Sequence, residues 1–217
     1  MSYKAVIFDL DGTLLNTLGD IGGAANSALA AKGFPSHPID LYRDFVGEGA
    51  RRMITYALPA ECRDEATIQS CLAEYLVEYG RGWDVATRPY DGISELLDTL
   101  VSRGIRLAVL SNKPEVFTQQ CVGKLLSRWT FDIVVGEKEG VPRKPDPEGA
   151  LLIAAHLGID PGEILFVGDS AVDMQTAKAA GMFAAGALWG FRSREELEQN
   201  GTDVLVNHPM EIARLIE

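Results

Sequence analysis

The segment "KAVIFDLDGTLLNT", Lys4 to Thr17, ends a short apolar run on two aspartates, Asp9 and Asp11, spaced one residue apart. On an extended backbone those two side chains point the same way. Carboxylates that share one place repel, and one pKa rises unless a cation neutralises them. The pair is therefore either a solvated turn or part of a site built around positive charge. Three more segments set polar groups after apolar runs: Ser111 and Asn112 after "RLAVL", Lys144 in "RKPDP", and Asp169 with Asp173 after "ILFVG". Carboxylate oxygens suit a hard cation, and Mg²⁺ takes one or two of them together with waters and phosphate oxygens. Asp9 and Asp169 are the natural ligands, and Asp173, one helical turn beyond Asp169, can face the same ion. Lys144 offers a point charge, and the Ser111 hydroxyl with a neighbouring N–H offers donors to a phosphate. "SAVD" also fits a capping box, so Ser170 and Asp173 have a purely structural reading as well.

These groups need elements that deliver them to one place. Apolar, β-branched runs at 5–8, 105–110, 131–135, 164–168, 182–188 and 203–206 read as strands covered on both faces, as in a parallel sheet. Helical patterns lie between them. "DGISELLDTLVSRG" carries Ile93, Leu96, Leu97, Leu100 and Val101 on one face and ends at Gly104, and later helices close on Gly158 and Gly181. The alternation predicts an α/β fold with a doubly wound parallel sheet, a Rossmann-like core. Ligands of such sheets bind beyond the carboxyl ends of the strands, where strand order reverses. From Thr17 to Arg88 the pattern is helical only, with Ile68, Cys71, Leu72, Tyr75, Leu76 and Tyr79 forming one face of a long helix. The expected organisation is a core of residues 1–16 and 89–217 with a small all-helical cap inserted at 17–88.

The chain has 217 residues, is 47% hydrophobic and carries a formal charge of −11. That balance disfavours nucleic acid and anionic membrane surfaces as partners. No run approaches the ~20 apolar residues of a membrane span. The three cysteines, Cys62, Cys71 and Cys121, form no C-x-x-C pair and read as reduced thiols. A cytoplasmic protein, monomeric or homodimeric, is expected.

In order and spacing, "FDLDGT", "LSNK", "KPDP" and "FVGDSAVDM" resemble the four signature motifs of the haloacid dehalogenase-like phosphohydrolases, and "GFRSREEL" has the look of their phosphoglycolate phosphatase branch. The resemblance implies a nucleophilic Asp9 that becomes an aspartyl-phosphate. It implies Asp11 as general acid and then base, and Ser111 and Lys144 as phosphoryl holders. Mg²⁺ would be bound by Asp9, Asp169 and the Asp11 main-chain carbonyl, with Asp173 in the cluster. Thr13 and Asn112 are expected among the substrate-binding groups. Lys113, next to Pro114, reads as a surface residue.

In "FVGEGARRMI", Phe45 to Ile54, Gly47 and Gly49 would let backbone approach a ligand, and a helix starting near Ala50 would aim free N–H groups at an anion. Arg51 or Arg52 could add charge for a substrate carboxylate, with an exposed helix face as the competing reading of both. The expected partner is a small-molecule phosphomonoester. A phosphosugar mutase on the same core is one rival. A phospho-acceptor signalling module is another, but it has no need of the helical insertion.

Overall fold

The computed structural model describes residues 3–216. The chain runs β1 (Ala5–Phe8), β2 (Leu15–Asn16), α1 (Leu18–Ala31), α2 (Tyr42–Phe45), α3 (Ala50–Ala57), α4 (Glu65–Gly82), β3 (Arg88–Pro89) and α5 (Ile93–Ser102). It continues through β4 (Arg106–Pro114), α6 (Glu115–Leu125), β5 (Ile133–Glu137), α7 (Glu148–Leu157) and β6 (Ile164–Gly168). The last elements are α8 (Ala171–Ala179), β7 (Phe183–Ala187), α9 (Arg194–Gln199), β8 (Val204–Val206) and α10 (Met210–Leu215).

Six strands form one parallel sheet in the order β5-β4-β1-β6-β7-β8. The side-chain period of two sorts each central strand between two apolar layers. Val6, Phe8, Leu107, Val109, Leu165 and Val167 fill one layer. Ala5, Ile7, Ala108, Leu110, Ile164 and Phe166 fill the other. Burying a side chain such as Phe8 or Phe166 completely contributes roughly 1.5–3 kcal/mol each. The sheet is thus the predicted doubly wound α/β core. Gly104, Gly158 and Gly181 end α5, α7 and α8 as expected. At the start of α7, Pro147 occupies the cap position, and Asp146 Oδ1 accepts the Glu148 N–H at 2.9 Å.

Helices α1 to α4 pack around an apolar centre of their own, with Ile21, Leu29, Tyr42, Met53, Ile54, Tyr75 and Tyr79 inside. Where this helical part meets the sheet, β2 and β3 pair as a short antiparallel ribbon, Leu15 opposite Pro89 and Asn16 opposite Arg88. Asp20 pins the returning chain by accepting the N–H groups of Ala86 and Thr87 and the Thr87 hydroxyl. No helix among the described residues is long and apolar enough to cross a membrane.

Candidate active site

Strand register assembles the site. In β1, Phe8 lies opposite Val109 of β4 and Val167 of β6, so the residues just beyond these strands emerge along one rim. Strand order reverses beside β1, the place where such sheets bind ligands. Asp9 leaves β1 there, Ser111 belongs to the end of β4, and Asp169 follows β6. Lys144 comes in from the loop ahead of α7, and its buried ammonium donates to Asp9 Oδ1 at 2.8 Å and Asp173 Oδ1 at 2.6 Å. Asn112 fixes that lysine through its backbone, donating to the Lys144 carbonyl and accepting the Lys144 N–H, each at 3.0 Å.

One carboxylate oxygen from each of Asp9, Asp169 and Asp173 lies within 4.8 Å of the others. Asp173 takes part in the capping box and in this acidic cluster alike. Its Oδ2 accepts the Ser170 N–H and hydroxyl in a capping box that opens α8, while its Oδ1 takes Lys144. Asp169 is held by the Phe191 N–H at 2.7 Å and by the Thr13 hydroxyl at 2.9 Å. Thr13 is fully buried, spends its donor on Asp169 and is not among the residues that line the cleft described below. The fit around Asp169 is close: a Cβ added at Gly190 would stand 2.2 Å from the Asp169 Cβ, and one at Gly12 2.4 Å from its Oδ2.

Burial pushes the Asp9 carboxyl up to about 7, with Asp173 and Asp11 adding to the rise and Lys144 opposing it. Asp169 stands well above the ordinary carboxylate range, through burial first and then Asp9 and Asp173. Burial works against the Lys144 ammonium, yet Asp173 and Asp9 together lift it above its usual value. Counted as ionised, the four aspartates 9, 11, 169 and 173 exceed Lys113 and Lys144 by two negative charges. Among the described residues no ammonium or guanidinium pairs with Asp169. A buried, oxygen-only cluster with a surplus of two negative charges fits a hard divalent cation.

Lys113 corrects the sequence reading. It is buried rather than on the surface, and its ammonium donates to both carboxylate oxygens of Asp11, at 2.9 and 3.1 Å. It also lies 4.6 Å from the centroid of the Tyr79 ring on α4. The cause is tertiary: α4 closes over the end of β4 and leaves a lysine there no route to water.

A cleft with about 430 Å³ of empty space, partly open to solvent, begins at Asp9, Asp11, Ser111 and Lys113. Ile21, Val46, Met53 and Tyr75 supply its apolar wall, and Gly47, Gly49 and Ala50 its roof. Gly49 has φ +90°, and a Cβ there would sit 2.7 Å from the Arg143 guanidinium, so the roof lies tight on the core. Arg51 does not reach the cleft. Its guanidinium pairs with Glu65 of α4 and sits half-exposed on the outer face, which is the competing reading of that residue.

Core side chains grip the roof by its carbonyls. Arg192 donates to those of Arg43, Asp44 and Val46, Asn112 to that of Gly47 at 3.0 Å, and Arg143 to that of Glu48 at 3.2 Å. Arg43 returns the contact, donating to the Gly190 carbonyl at 3.1 Å. Sequence reasoning left Lys113, Gly190, Phe191 and Arg192 out of the site. For Arg192 the motif "GFRSREEL" was the available signal, and the Phe191 contact is a backbone N–H with no side-chain signature.

The family model described as haloacid dehalogenase-like hydrolase matches residues 6–187. An N-acetylmuramic acid 6-phosphate phosphatase of Pseudomonas aeruginosa is 35% identical over 218 residues, covering 100% of this chain and 96% of that protein. A phosphoglycolate phosphatase of Xylella fastidiosa is also 35% identical, over 214 residues, covering 97% and 92%. Among solved structures, a protein from Lactobacillus delbrueckii subsp. bulgaricus with a provisional phosphoglycolate phosphatase assignment superposes with a TM-score of 0.94 at 31% identity, covering 100% of this chain and 99% of that one.

Proposed function

The chain belongs to the haloacid dehalogenase-like hydrolases, and from that premise we propose that it is a magnesium-dependent phosphatase acting on small organic phosphomonoesters. One observation carries the reading: the Asp169–Asp173 carboxylates and the Lys144 ammonium converge on Asp9, and Asp9 in turn lines a cleft roofed by Gly47, Gly49 and Ala50.

Asp9 is the nucleophile. With Oδ1 held by Lys144, its other carboxylate oxygen forms the bond to phosphorus while the bond from phosphorus to the leaving oxygen breaks. Asp11, two residues on and lining the same cleft, gives the leaving oxygen its proton. It then takes a proton from the water that attacks the aspartyl-phosphate and frees inorganic phosphate. Ser111 and Lys144 hold the phosphoryl oxygens through the exchange, which depends mainly on positioning and charge. Asp9, Asp169 and the Asp11 carbonyl would hold Mg²⁺, backed by Asp173; when bound, the ion neutralises phosphoryl charge.

The roof of Gly47, Gly49 and Ala50 lies directly over Asp9 and Ser111, in keeping with a compact substrate of the phosphoglycolate kind. Because Arg51 is committed to Glu65, recognition of the leaving group falls to Gly47, Gly49 and the N–H groups that open α3. The test is release of inorganic phosphate from a panel of phosphomonoesters, without a sugar bisphosphate primer. Release should require Mg²⁺ and should vanish in Asp9→Asn. Turnover indifferent to EDTA and to that substitution would refute the mechanism.

A further inference from the structure

Of the two buried lysines among the described residues, Lys144 has a task in the proposed chemistry and Lys113 has none. Burying an ammonium is unfavourable unless it is paired and hydrogen-bonded. Neutralising Asp11 would explain the ion pair, but it would not explain the other side of the ammonium. There Tyr79 of α4 presents its ring face at 4.6 Å. That ring is itself wedged in place, stacked on Tyr75 with centroids 5.5 Å apart and met edge-on by Phe117 at 4.9 Å. Lys113 is therefore clamped between a carboxylate of the core and an aromatic face of the helical part. Its single ammonium bridges both oxygens of Asp11, which fixes where the carboxyl lies.

We propose that Lys113 is a positioning residue: its two-point hold aims the Asp11 carboxyl at the leaving oxygen, and Tyr79 makes that aim depend on α4 being seated over the core. The inference rests on the phosphatase reading above and deepens it. General acid catalysis is worth roughly 10²–10⁴-fold, and only for leaving groups that need a proton. An alkoxide needs one, whereas 4-nitrophenolate leaves without it.

The test compares kcat/KM for an alkyl phosphate with kcat/KM for 4-nitrophenyl phosphate, in the wild-type chain and in Lys113→Met, Tyr79→Leu and Asp11→Asn. In Lys113→Met the loss on the alkyl ester should exceed the loss on the nitrophenyl ester by at least ~10-fold. Tyr79→Leu should shift the ratio the same way by a few fold, as an aromatic contact to a buried cation allows. Asp11→Asn should show the largest shift. Adding Lys113→Met to it should move the ratio no further, because the two residues act through one carboxyl. Equal losses on both esters would reduce Lys113 to a structural counter-ion and overturn the proposal. An unchanged ratio in Tyr79→Leu would remove the coupling to α4. Absence of wild-type turnover on either ester would sink the phosphatase reading, and this inference with it.

Discussion

Replacing Asp9 with asparagine should abolish turnover and at the same time make the metal-free protein more stable. In the folded chain the Asp9 carboxyl is raised from 3.8 to about 7, chiefly by burial. Holding it ionised above that pH therefore costs on the order of 4 kcal/mol. Asparagine has no charge to bury, but its amide oxygen accepts the Lys144 ammonium more weakly, a loss of about 1–2 kcal/mol. The balance is a gain of ~2–3 kcal/mol at pH 8, or about 4–12 °C in Tm for a domain of this size. The sign follows from linkage. Below 3.8 the carboxyl is protonated in folded and unfolded chains alike, and Asp9 imposes no penalty. Between 3.8 and about 7 the folded state keeps a proton that the unfolded state has released, so wild-type stability falls as pH rises. The gap between variant and wild type should thus be small at pH 4 and open toward pH 8. Mg²⁺ should close it, since a ligand at 100 times its Kd adds about 2.7 kcal/mol to the form that binds it. Thermal melts of both proteins in EDTA across this pH range, repeated with Mg²⁺, decide the matter. A variant no more stable than wild type at pH 8, or a gap that ignores pH, would refute the reasoning.

Other outcomes follow from the same geometry. Lys144→Met leaves Asp9 and Asp173 buried without their counter-ion, so it should destabilise the chain by about 3–5 kcal/mol at pH 8 and abolish turnover; denaturant melts beside a phosphate-release assay measure both. Gly190→Ala drives a methyl into Asp169 and should cost about 1–3 kcal/mol. It should also raise the Mg²⁺ concentration for half-maximal activity by at least ~10-fold, as displaced support of a ligand does; a Mg²⁺ titration showing wild-type affinity would contradict the contact. Arg51→Ala removes an exposed pair with Glu65 worth about 0–1 kcal/mol and should leave kcat/KM within about threefold of wild type; a KM raised tenfold or more would return Arg51 to the substrate.

The sheet and most of the acidic cluster were legible because they obey local rules. β-branched runs ending in Asp9, Ser111 and Asp169 mark parallel strands, and a shared register carries their ends to one rim. What escaped was set by distant apposition. Lys113 sits before a proline on a segment that reads as exposed, and only the seating of α4 buries it. Thr13 lies within a motif of substrate-handling residues, yet its hydroxyl turns to Asp169. Gly190 and Phe191 act through a missing side chain and a backbone N–H, which no pattern of residue types can announce. For Arg51 the phase of α3 holds the answer: Met53, Ile54 and Ala57 occupy the inward face and leave the arginine outside.

Every hydrogen bond by which Arg192, Asn112 and Arg143 hold residues 43–48 ends on a main-chain oxygen, and the side chain added to the hold is that of Asp44, whose carboxylate pairs with Arg192 at 3.7 Å. The hydrogen bonds are thereby blind to the side chains of Val46 and Glu48. Those positions can be exchanged to suit a different leaving group while the lid over the phosphoryl centre stays buttoned down, so taste can change in this enzyme without the machinery having to be rebuilt.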